Sequence, residues 1–248
     1  MSKKTIIFSI VLIIVATFFG SEMFVDEELP QGVVIPEQTH IIAEMATESA
    51  NVETQMQEWI ISSYDEMMRR IGEEEGQDWL LLSAIAYNES RFHSDLVSKQ
   101  GAIGLMQIMP IVGRQFNVEK EHIVDPETNI RLAGKLLRQI EKILKLSPTT
   151  SANDRMSIIL ACYNGGIGHV TDARRLAKSN GEDPNSWEVV ARYLKMKADP
   201  AVYESELVHH GKFTGSRQTE AYVRDVMKRY DFYCDLVDNG GNMVAQVK

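Results

Sequence analysis

Beyond residue 52, hydrophobic residues recur three and four positions apart, which is the spacing of helices that bury one face. The first stripe predicts a helix that ends at Gly72, because residues 73–76 break the pattern. A second helix is predicted to begin after Asp78, a suitable N-cap, and residues 79–87 are apolar on nearly every side. Such a helix is expected to be buried all round. The members of the first stripe are Met56, Trp59, Ile60, Met67 and Ile71.

Three more helices are predicted further along the chain. One is announced by Asp125-Pro126, an N-cap followed by a proline in the first turn, and it stops at Pro148. The next begins at Asn153-Asp154 and ends at the helix-stop signal Asn164-Gly165-Gly166. The last presents a broad apolar face formed by Tyr222, Val223, Val226, Met227, Tyr230 and Tyr233. No hairpin signal lies between alternating runs, so the predicted fold class is mainly α.

The N-terminus has the pattern of an export segment. Lys3 and Lys4 precede 17 uncharged, mostly apolar residues (5–21), and acidic residues follow. This is the layout of a signal peptide or of a signal anchor, and both alternatives stay open because no clear cleavage site is present. Residues 22–52 are acidic and lack a sustained period, so they are predicted to form a linker. The helical domain is predicted over 53–240, with a tail at 241–248.

Charge is distributed unevenly over the 248 residues, whose net charge is -9. Residues 22–75 hold 14 acidic residues against two arginines, for -12, whereas residues 76–248 hold 21 acidic and 22 basic residues, for +1. The helical region therefore lacks the basic excess that binds phosphates, and no nucleic acid partner is expected.

No metal or other cofactor is expected either. The chain has two cysteines, and the neighbouring His209 and His210 cannot both face one metal from a helix. Cys162 and Cys234 lie on apolar helical faces and are interpreted as free thiols, although a bridge between them is chemically allowed in an exported domain.

Glu89 is the candidate catalytic residue. It lies seven residues after Leu82 and four after Ile85, a spacing that puts its carboxyl group on the buried side of the most apolar helix. Both burial and the negative end of the helix dipole favour the protonated form. A carboxyl group that is protonated near neutral pH is what a general acid requires. For an isolated glutamate, the commoner alternative is an exposed residue at the helix end.

Four sequence blocks around Glu89 occur in an order that resembles a known family. They are Glu89-Ser90, Gly104-Leu105-Met106-Gln107, Ala161-Cys162-Tyr163-Asn164 and Ala221-Tyr222-Val223. In this order they resemble the goose-lysozyme-like lytic murein transglycosylases, over about residues 64–236. The resemblance implies a lysozyme-like helical domain of the goose type and a peptidoglycan lytic transglycosylase, which is a lyase acting on a polysaccharide. The sequence departs from the family pattern at Leu96 and at residues 166–168.

The resemblance also implies residue roles. Glu89 would be the single catalytic acid and base, Ser90 would help to hold its carboxylate, and Tyr222 would hydrogen-bond to it. The implied sugar groove is lined by Met106, Gln107, Tyr163 and Asn164. These residue types suit the task, because amides bond to N-acetyl groups and a tyrosine ring packs against a sugar face. The alternative role of Met106 and Tyr222 is core packing. The alternative role of Asn164 is helix capping.

The implied reaction uses one carboxyl group. Glu89 protonates the glycosidic oxygen between MurNAc and GlcNAc, the substrate's N-acetyl oxygen stabilises the positive charge, and Glu89 then accepts the C6 hydroxyl proton, leaving a 1,6-anhydroMurNAc end. Asp78 lies roughly 16 Å up the same helix, too far for the second carboxylate of a common glycosidase, and Asp95 lies in a loop whose position the sequence does not predict. The alternative functions are a water-using muramidase and a non-catalytic, envelope-anchored glycan-binding module. The expected partners are peptidoglycan glycan strands and, if residues 5–21 stay uncleaved, the inner membrane, with the chain a periplasmic monomer.

Overall fold

The computed structural model describes residues 60–238, and these residues fold into nine α-helices and one 3₁₀ helix without a β-strand. The mainly α fold class is therefore confirmed. The predicted signal segment, linker and tail lie outside the described residues, as do Met56 and Trp59. The helices are α1 (Asp65–Glu75), α2 (Trp79–Ser90), α3 (Pro110–Gln115), the 3₁₀ helix (Lys120–His122), α4 (Pro126–Leu144), α5 (Ala152–Gly165), α6 (Ile167–Ser179), α7 (Trp187–Met196), α8 (Pro200–Tyr203) and α9 (Ser216–Asp238).

Helix α2 is the core of the domain. All seven residues from Leu80 to Ala86 are buried, which confirms the prediction of a helix that is covered on every side. The cover comes from α1, α4 and α9, and α9 also packs on α5. Asp78 caps α2 as predicted, since its side chain accepts a hydrogen bond from the backbone N–H of Leu80 at 2.8 Å.

The predicted end of the first helix is wrong. Helix α1 continues past Gly72 to Glu75 and ends at Gly76, whose φ of 65° is the left-handed conformation of a helix C-cap. Gly72 is needed for a different reason, because a Cβ there would lie 2.7 Å from the backbone oxygen of Gln77. At the other end, Ile60 precedes the helix and is 70% exposed.

Capping decides two further boundaries. Asp125 accepts a hydrogen bond from the N–H of Thr128 at 2.9 Å and caps α4 as predicted. The predicted start of α5 at Asn153-Asp154 is wrong, because Ser151 is the N-cap and accepts from the N–H of Asp154 at 3.0 Å. The Asp154 carboxylate instead accepts from the N–H of Trp187 at 2.8 Å and so connects α5 to α7. The helix-stop signal is confirmed, since α5 ends at Gly165.

A buried ion pair holds the segment between α8 and α9. Asp172 of α6 and Lys197, which follows α7, are both fully buried and lie 2.7 Å apart. Asp172 also accepts from the backbone N–H of His209 and of His210, at 3.1 and 2.9 Å. The backbone oxygen of Lys197 accepts from the N–H of Phe213 at 3.1 Å. One pair of charges thus fixes residues 209–213 against α6 and α7.

The environment of Asp172 keeps it ionised. Burial alone raises the pKa of this carboxyl group, but the hydrogen bonds from Lys197 and from the two backbone N–H groups outweigh burial and hold the pKa well below its usual range. Removing one partner of such a pair leaves the other charge buried without compensation.

We therefore expect Asp172→Ala to lower the free energy of unfolding by about 3–5 kcal/mol at neutral pH. Denaturant unfolding followed by circular dichroism measures this change. The matched control is Asp225→Ala, whose ion pair with Arg224 is exposed, and its effect should stay below about 1 kcal/mol. Similar small losses in both variants would contradict the structural role of the buried pair.

Candidate active site

Glu89 lies in the last turn of α2 and is half-buried, with its carboxyl group largely withdrawn from solvent. Burial raises the pKa of this carboxyl group to about 7, and the hydroxyl group of Tyr222 opposes that rise. Near neutral pH the group therefore exists in both its protonated and its ionised form. This is the protonation behaviour predicted from its place at the end of an apolar helix, and it suits both proton donation and proton acceptance.

Two tyrosines flank Glu89. The hydroxyl group of Tyr163, at the end of α5, donates to the backbone oxygen of Met106 at 2.7 Å. The hydroxyl group of Tyr222, on α9, is buried without a hydrogen-bond partner of ordinary geometry. It nevertheless interacts with the Glu89 carboxyl group, so the contact is looser than a standard hydrogen bond. Burial and the nearby carboxylate raise the pKa of both tyrosines, which are therefore neutral donors.

The backbone turns sharply after the helix. Arg91 and Phe92 have φ values of 53° and 62°, a conformation that costs side-chain-bearing residues energy, and Arg91 is the left-handed C-cap of α2. The ring of Tyr87 supports this turn, since it stacks against the guanidinium of Arg91 at 4.1 Å and meets the ring of Phe92 at 5.9 Å. Arg229 of α9 covers the Tyr87 ring at 3.8 Å. The C-terminal end of α2, which carries Glu89, is thus packed against α9.

Ser90 connects the helix end to the next loop. Its buried hydroxyl group lies 2.8 Å from the backbone oxygen of Leu105 and 3.1 Å from that of Ala86. Among the described contacts, these two backbone oxygens are its partners, and the Glu89 carboxylate is not. The expectation that Ser90 holds the carboxylate is therefore replaced by an indirect role, in which Ser90 positions the loop beside Glu89.

That loop is a tight turn closed by the backbones of Ile103 and Ile108, which exchange hydrogen bonds of 3.0 and 2.9 Å. Gly104 has a φ of 78°, and a Cβ there would lie 2.6 Å from the side-chain nitrogen of Asn129. Asn129 of α4 is fully buried and bonds only to backbone atoms, namely the N–H of Met106 and the oxygens of Ile103 and Ile123. Asn129, which is not among the predicted site residues, fixes the shape of the turn.

The predicted groove residues on the turn contribute differently. The side chain of Met106 is fully buried, so it packs in the core, and its backbone oxygen is the atom that meets Tyr163. Gln107 is partly exposed and has a φ of 47°. Its side-chain nitrogen donates to the backbone oxygens of Gly104 and Leu96, at 2.9 and 3.1 Å, which leaves its side-chain oxygen for a ligand.

Asn164 stands on the opposite element, at the end of α5. Its side-chain oxygen accepts from the hydroxyl group of Thr219 at 3.0 Å, which leaves its side-chain nitrogen for a ligand. Thr219 lies one helical turn before Tyr222 on α9. The contact requires glycine at position 165, because a Cβ there would lie 2.9 Å from the Thr219 hydroxyl and 3.2 Å from the ring of Phe213. The segment held by Asp172 therefore borders this side of the site.

In the described part of the chain, no second carboxyl group influences the pKa of Glu89, which responds to burial and to Tyr222. Asp78 is engaged at the other end of α2, where it accepts from the hydroxyl group of Tyr230 at 2.6 Å. Within residues 60–238, no three side chains of the metal-binding types come together. Cys162 is buried and Cys234 is half-buried, and both are free thiols. No helix in this part of the chain has the length and apolar character needed to cross a membrane.

Comparisons with known proteins agree on one family. Residues 66–186 match the model of the Transglycosylase SLT domain. The chain is 36% identical over 169 residues to the "Membrane-bound lytic murein transglycosylase F" of Alcanivorax borkumensis, which covers 68% of this chain and 34% of that protein. It is 38% identical over 153 residues to the protein of the same name from Yersinia pseudotuberculosis, with 62% and 30% covered. The chain thus spans about a third of the length of these relatives.

Among solved structures, the fold is similar to that of an inactive mutant of the lytic transglycosylase Slt from Pseudomonas aeruginosa. The TM-score is 0.48 at 23% sequence identity, and the match covers 71% of this chain and 24% of that chain.

The raised pKa of Glu89 predicts how stability depends on pH. Because the folded state holds the proton up to about pH 7 and the unfolded state releases it near 4.5, the contribution of Glu89 to the free energy of unfolding should fall between these values and then level off. Glu89→Gln removes this loss, so it should be more stable than wild type by up to about 3 kcal/mol at pH 8 and nearly equal to it at pH 4.

Denaturant unfolding of both proteins from pH 4 to pH 8 measures this difference. The exposed Glu141 of α4 offers a matched control, because Glu141→Gln should follow the wild-type curve at every pH. A gap between Glu89→Gln and wild type that does not widen with pH would show that the Glu89 carboxyl group is not desolvated.

Proposed function

The chain belongs to the Transglycosylase SLT domain family through residues 66–186, and from this premise we propose that it is a peptidoglycan lytic transglycosylase. Its substrate is the β-1,4 bond between MurNAc and GlcNAc. The observation that carries the proposal is the single carboxyl group of Glu89, which burial poises at a pKa of about 7 beside two neutral tyrosines. One group with this pKa can donate and then accept a proton within one reaction.

The bond is broken without water in the proposed reaction. Protonated Glu89 gives its proton to the glycosidic oxygen as the bond from C1 of MurNAc to that oxygen breaks. The substrate's N-acetyl oxygen stabilises the positive charge at C1. The C6 hydroxyl oxygen of the same MurNAc then bonds to C1 while the Glu89 carboxylate accepts its proton. The products are a free GlcNAc hydroxyl group and a 1,6-anhydroMurNAc end, and Glu89 returns to its starting state.

The neighbouring side chains suit this sequence of steps. The Tyr222 hydroxyl group favours the ionised form of Glu89, which is the form that accepts the second proton. The free side-chain oxygen of Gln107 suits the N–H of an N-acetyl group, and the free side-chain nitrogen of Asn164 suits its carbonyl oxygen. Ser90, Met106 and Tyr163 act from behind this surface, by positioning the turn through backbone contacts.

Location follows from the substrate and from the N-terminal pattern. Peptidoglycan lies outside the inner membrane, so we place the catalytic domain in the periplasm, as a monomer. Two curated relatives carry the words "Membrane-bound" in their names, and residues 5–21 would hold this chain at the membrane if they are not cleaved. The domain limits at 53–240 and the acidic linker at 22–52 belong to the same proposal.

Glu89→Gln should reduce the release of muropeptides from purified sacculi by at least about 100-fold, because glutamine can neither donate nor accept the proton. Mass spectrometry of the released fragments measures both rate and chemistry, and wild type should produce anhydro ends. Glu141→Gln is the control and should keep full activity. Reducing ends from wild type would identify a water-using muramidase instead. Binding of sacculi without any release would identify a glycan-binding module.

Tyr222→Phe should lower kcat by roughly tenfold, because the interaction of its hydroxyl group with the ionised Glu89 carboxylate is lost in the proton-accepting step. It should also move the alkaline limb of the pH profile of kcat/KM above about 7, because the hydroxyl group lowers the Glu89 pKa. The melting temperature should not fall, since the buried hydroxyl lacks an ordinary partner.

Tyr193→Phe is the matched control for this variant, because its hydroxyl group also meets a carboxylate, that of Glu182 at 2.7 Å, away from Glu89. That variant should keep the wild-type pH profile. If Tyr222→Phe also keeps the wild-type rate and pH profile, Tyr222 serves only for packing.

A further inference from the structure

A cleft of about 390 Å³ opens beside the turn that carries Gln107. Its wall is formed by residues of the segments before and after that turn and by the 3₁₀ helix. We call it the 97–120 cleft. Its apolar side chains are Val97, Ile103, Met109, Pro110 and Ile111, and its charged side chains are Arg114 and Lys120.

The apolar wall of this cleft faces solvent. Val97 is 60% exposed, Ile111 is 52% exposed and Met109 is 39% exposed, although large hydrophobic side chains are mostly buried elsewhere in the described part of the chain. Exposed apolar side chains that cluster in a concave surface are typical of binding sites. The neighbouring core residues Ile108 and Leu105 are fully or almost fully buried, so the exposure is confined to the cleft side of the turn.

The two cations of the cleft have no counter-ion. Arg114 and Lys120 make neither an ion pair nor a side-chain hydrogen bond with any residue in 60–238, whereas Arg131 and Arg138 each pair with a glutamate. Glu119 and Glu121 flank Lys120 in the sequence, but no acidic residue lines the cleft. The cleft therefore combines an apolar wall with two positive charges that are available to an anionic ligand.

The cleft adjoins the candidate active site through the same turn. Ser90, next to Glu89, lies 2.8 Å from the backbone oxygen of Leu105, and Ile103 of the cleft is two residues from Leu105. Two residues span at most about 7 Å. A chain of four or five residues attached to a sugar in the site reaches about 13–17 Å and can therefore lie along the cleft.

We propose that the 97–120 cleft binds the acidic peptide that MurNAc residues carry, and so selects peptide-bearing glycan strands. The inference rests on the proposed function, because it takes peptidoglycan as the substrate. Peptide carboxylates would pair with Arg114 and Lys120, and the small apolar side chains of the peptide would contact Val97, Met109 and Ile111. The groove residues Gln107 and Asn164 offer neutral amide atoms and no positive charge, so the positive charges that pair with peptide carboxylates lie outside the groove.

The test measures binding in the full-length Glu89→Gln protein, so that turnover does not interfere. The two probes are short glycan strands prepared from sacculi and the same strands after an amidase has removed their peptides. Calorimetry should show tighter binding of the peptide-bearing strands. Adding Arg114→Ala and Lys120→Ala together should raise the Kd for these strands roughly five- to twentyfold, since each partly exposed ion pair contributes a factor of about two to five. The Kd for the peptide-free strands should not change.

A control variant separates local recognition from general charge. Lys178→Ala with Lys195→Ala removes the same charge from exposed positions on α6 and α7, and it should leave both Kd values unchanged. The effect of the cleft variant should weaken as salt is added, because exposed charges are screened. Ile111→Ser should weaken the binding of the peptide-bearing strands and leave the binding of the peptide-free strands unchanged.

Equal affinity of the two probes, or an equal change of both Kd values in the cleft variant, would overturn the proposal. The proposed function is tested separately by the anhydro ends that wild type releases from sacculi. Peptide-dependent binding without anhydro ends would refute the transglycosylase and retain the cleft. Anhydro ends without peptide-dependent binding would support the transglycosylase and refute the proposed role of the cleft.

Discussion

Glu89 lies at the end of a helix that is buried from Leu80 to Ala86. The arrangement of the other helices depends on the burial of this helix. A helix without a polar face needs cover on all sides, which α1, α4 and α9 provide. The same cover removes water from the carboxyl group and brings its pKa to about 7. Stability and chemistry therefore oppose each other at one residue, since the desolvation that makes the group reactive also costs folding energy above its ordinary pKa.

The framework around Glu89 consists largely of side chains that bond to backbone atoms. Asn129 satisfies two backbone groups of a turn that has no sheet to satisfy them, together with the backbone oxygen of Ile123 after the 3₁₀ helix, and Ser90 joins the same turn to α2. Tyr163 adds a third such contact at Met106. A turn held at three points keeps its shape when a ligand binds, and preorganised polar groups of this kind are worth most in a site that excludes water.

Much of the fold could be predicted from local signals. Asp78 and Asp125 act as the predicted caps, because an N-cap interaction is completed within three residues of the same segment. The end of α1 was misplaced because Gly72 looks like a helix stop, whereas its actual constraint is the approach of Gln77. The start of α5 was misplaced because Asp154 carries a capping residue type but bonds to Trp187, 33 residues away. Such contacts depend on the tertiary fold and leave no local pattern.

The candidate site could also be predicted only where its residues follow from a local sequence pattern. The position of Glu89 follows from helical spacing, but the separation of ligand-facing residues from framework residues does not, since Ser90 and Met106 meet backbone partners on other segments. A usable signal did exist for Asn129 and Asp172. Each is a polar residue on an otherwise apolar helical stripe, four residues before Ala133 and Leu176 respectively, and such a residue must find a buried partner.

The polar atoms near Glu89 that have no hydrogen-bond partner within the protein determine which ligands can bind there. After the internal hydrogen bonds are made, the side-chain oxygen of Gln107 and the side-chain nitrogen of Asn164 are left for a ligand, whereas the hydroxyl group of Tyr222 is buried against Glu89. Both amide atoms are neutral, and within residues 60–238 no basic side chain influences the pKa of Glu89. A neutral amide-bearing sugar fits this set, whereas an anionic ligand would lose its hydration without gaining a counter-charge. Two cations without an ion pair among residues 60–238, Arg114 and Lys120, lie instead beyond the turn, so sugar chemistry and recognition of charge fall on separate surfaces of one loop.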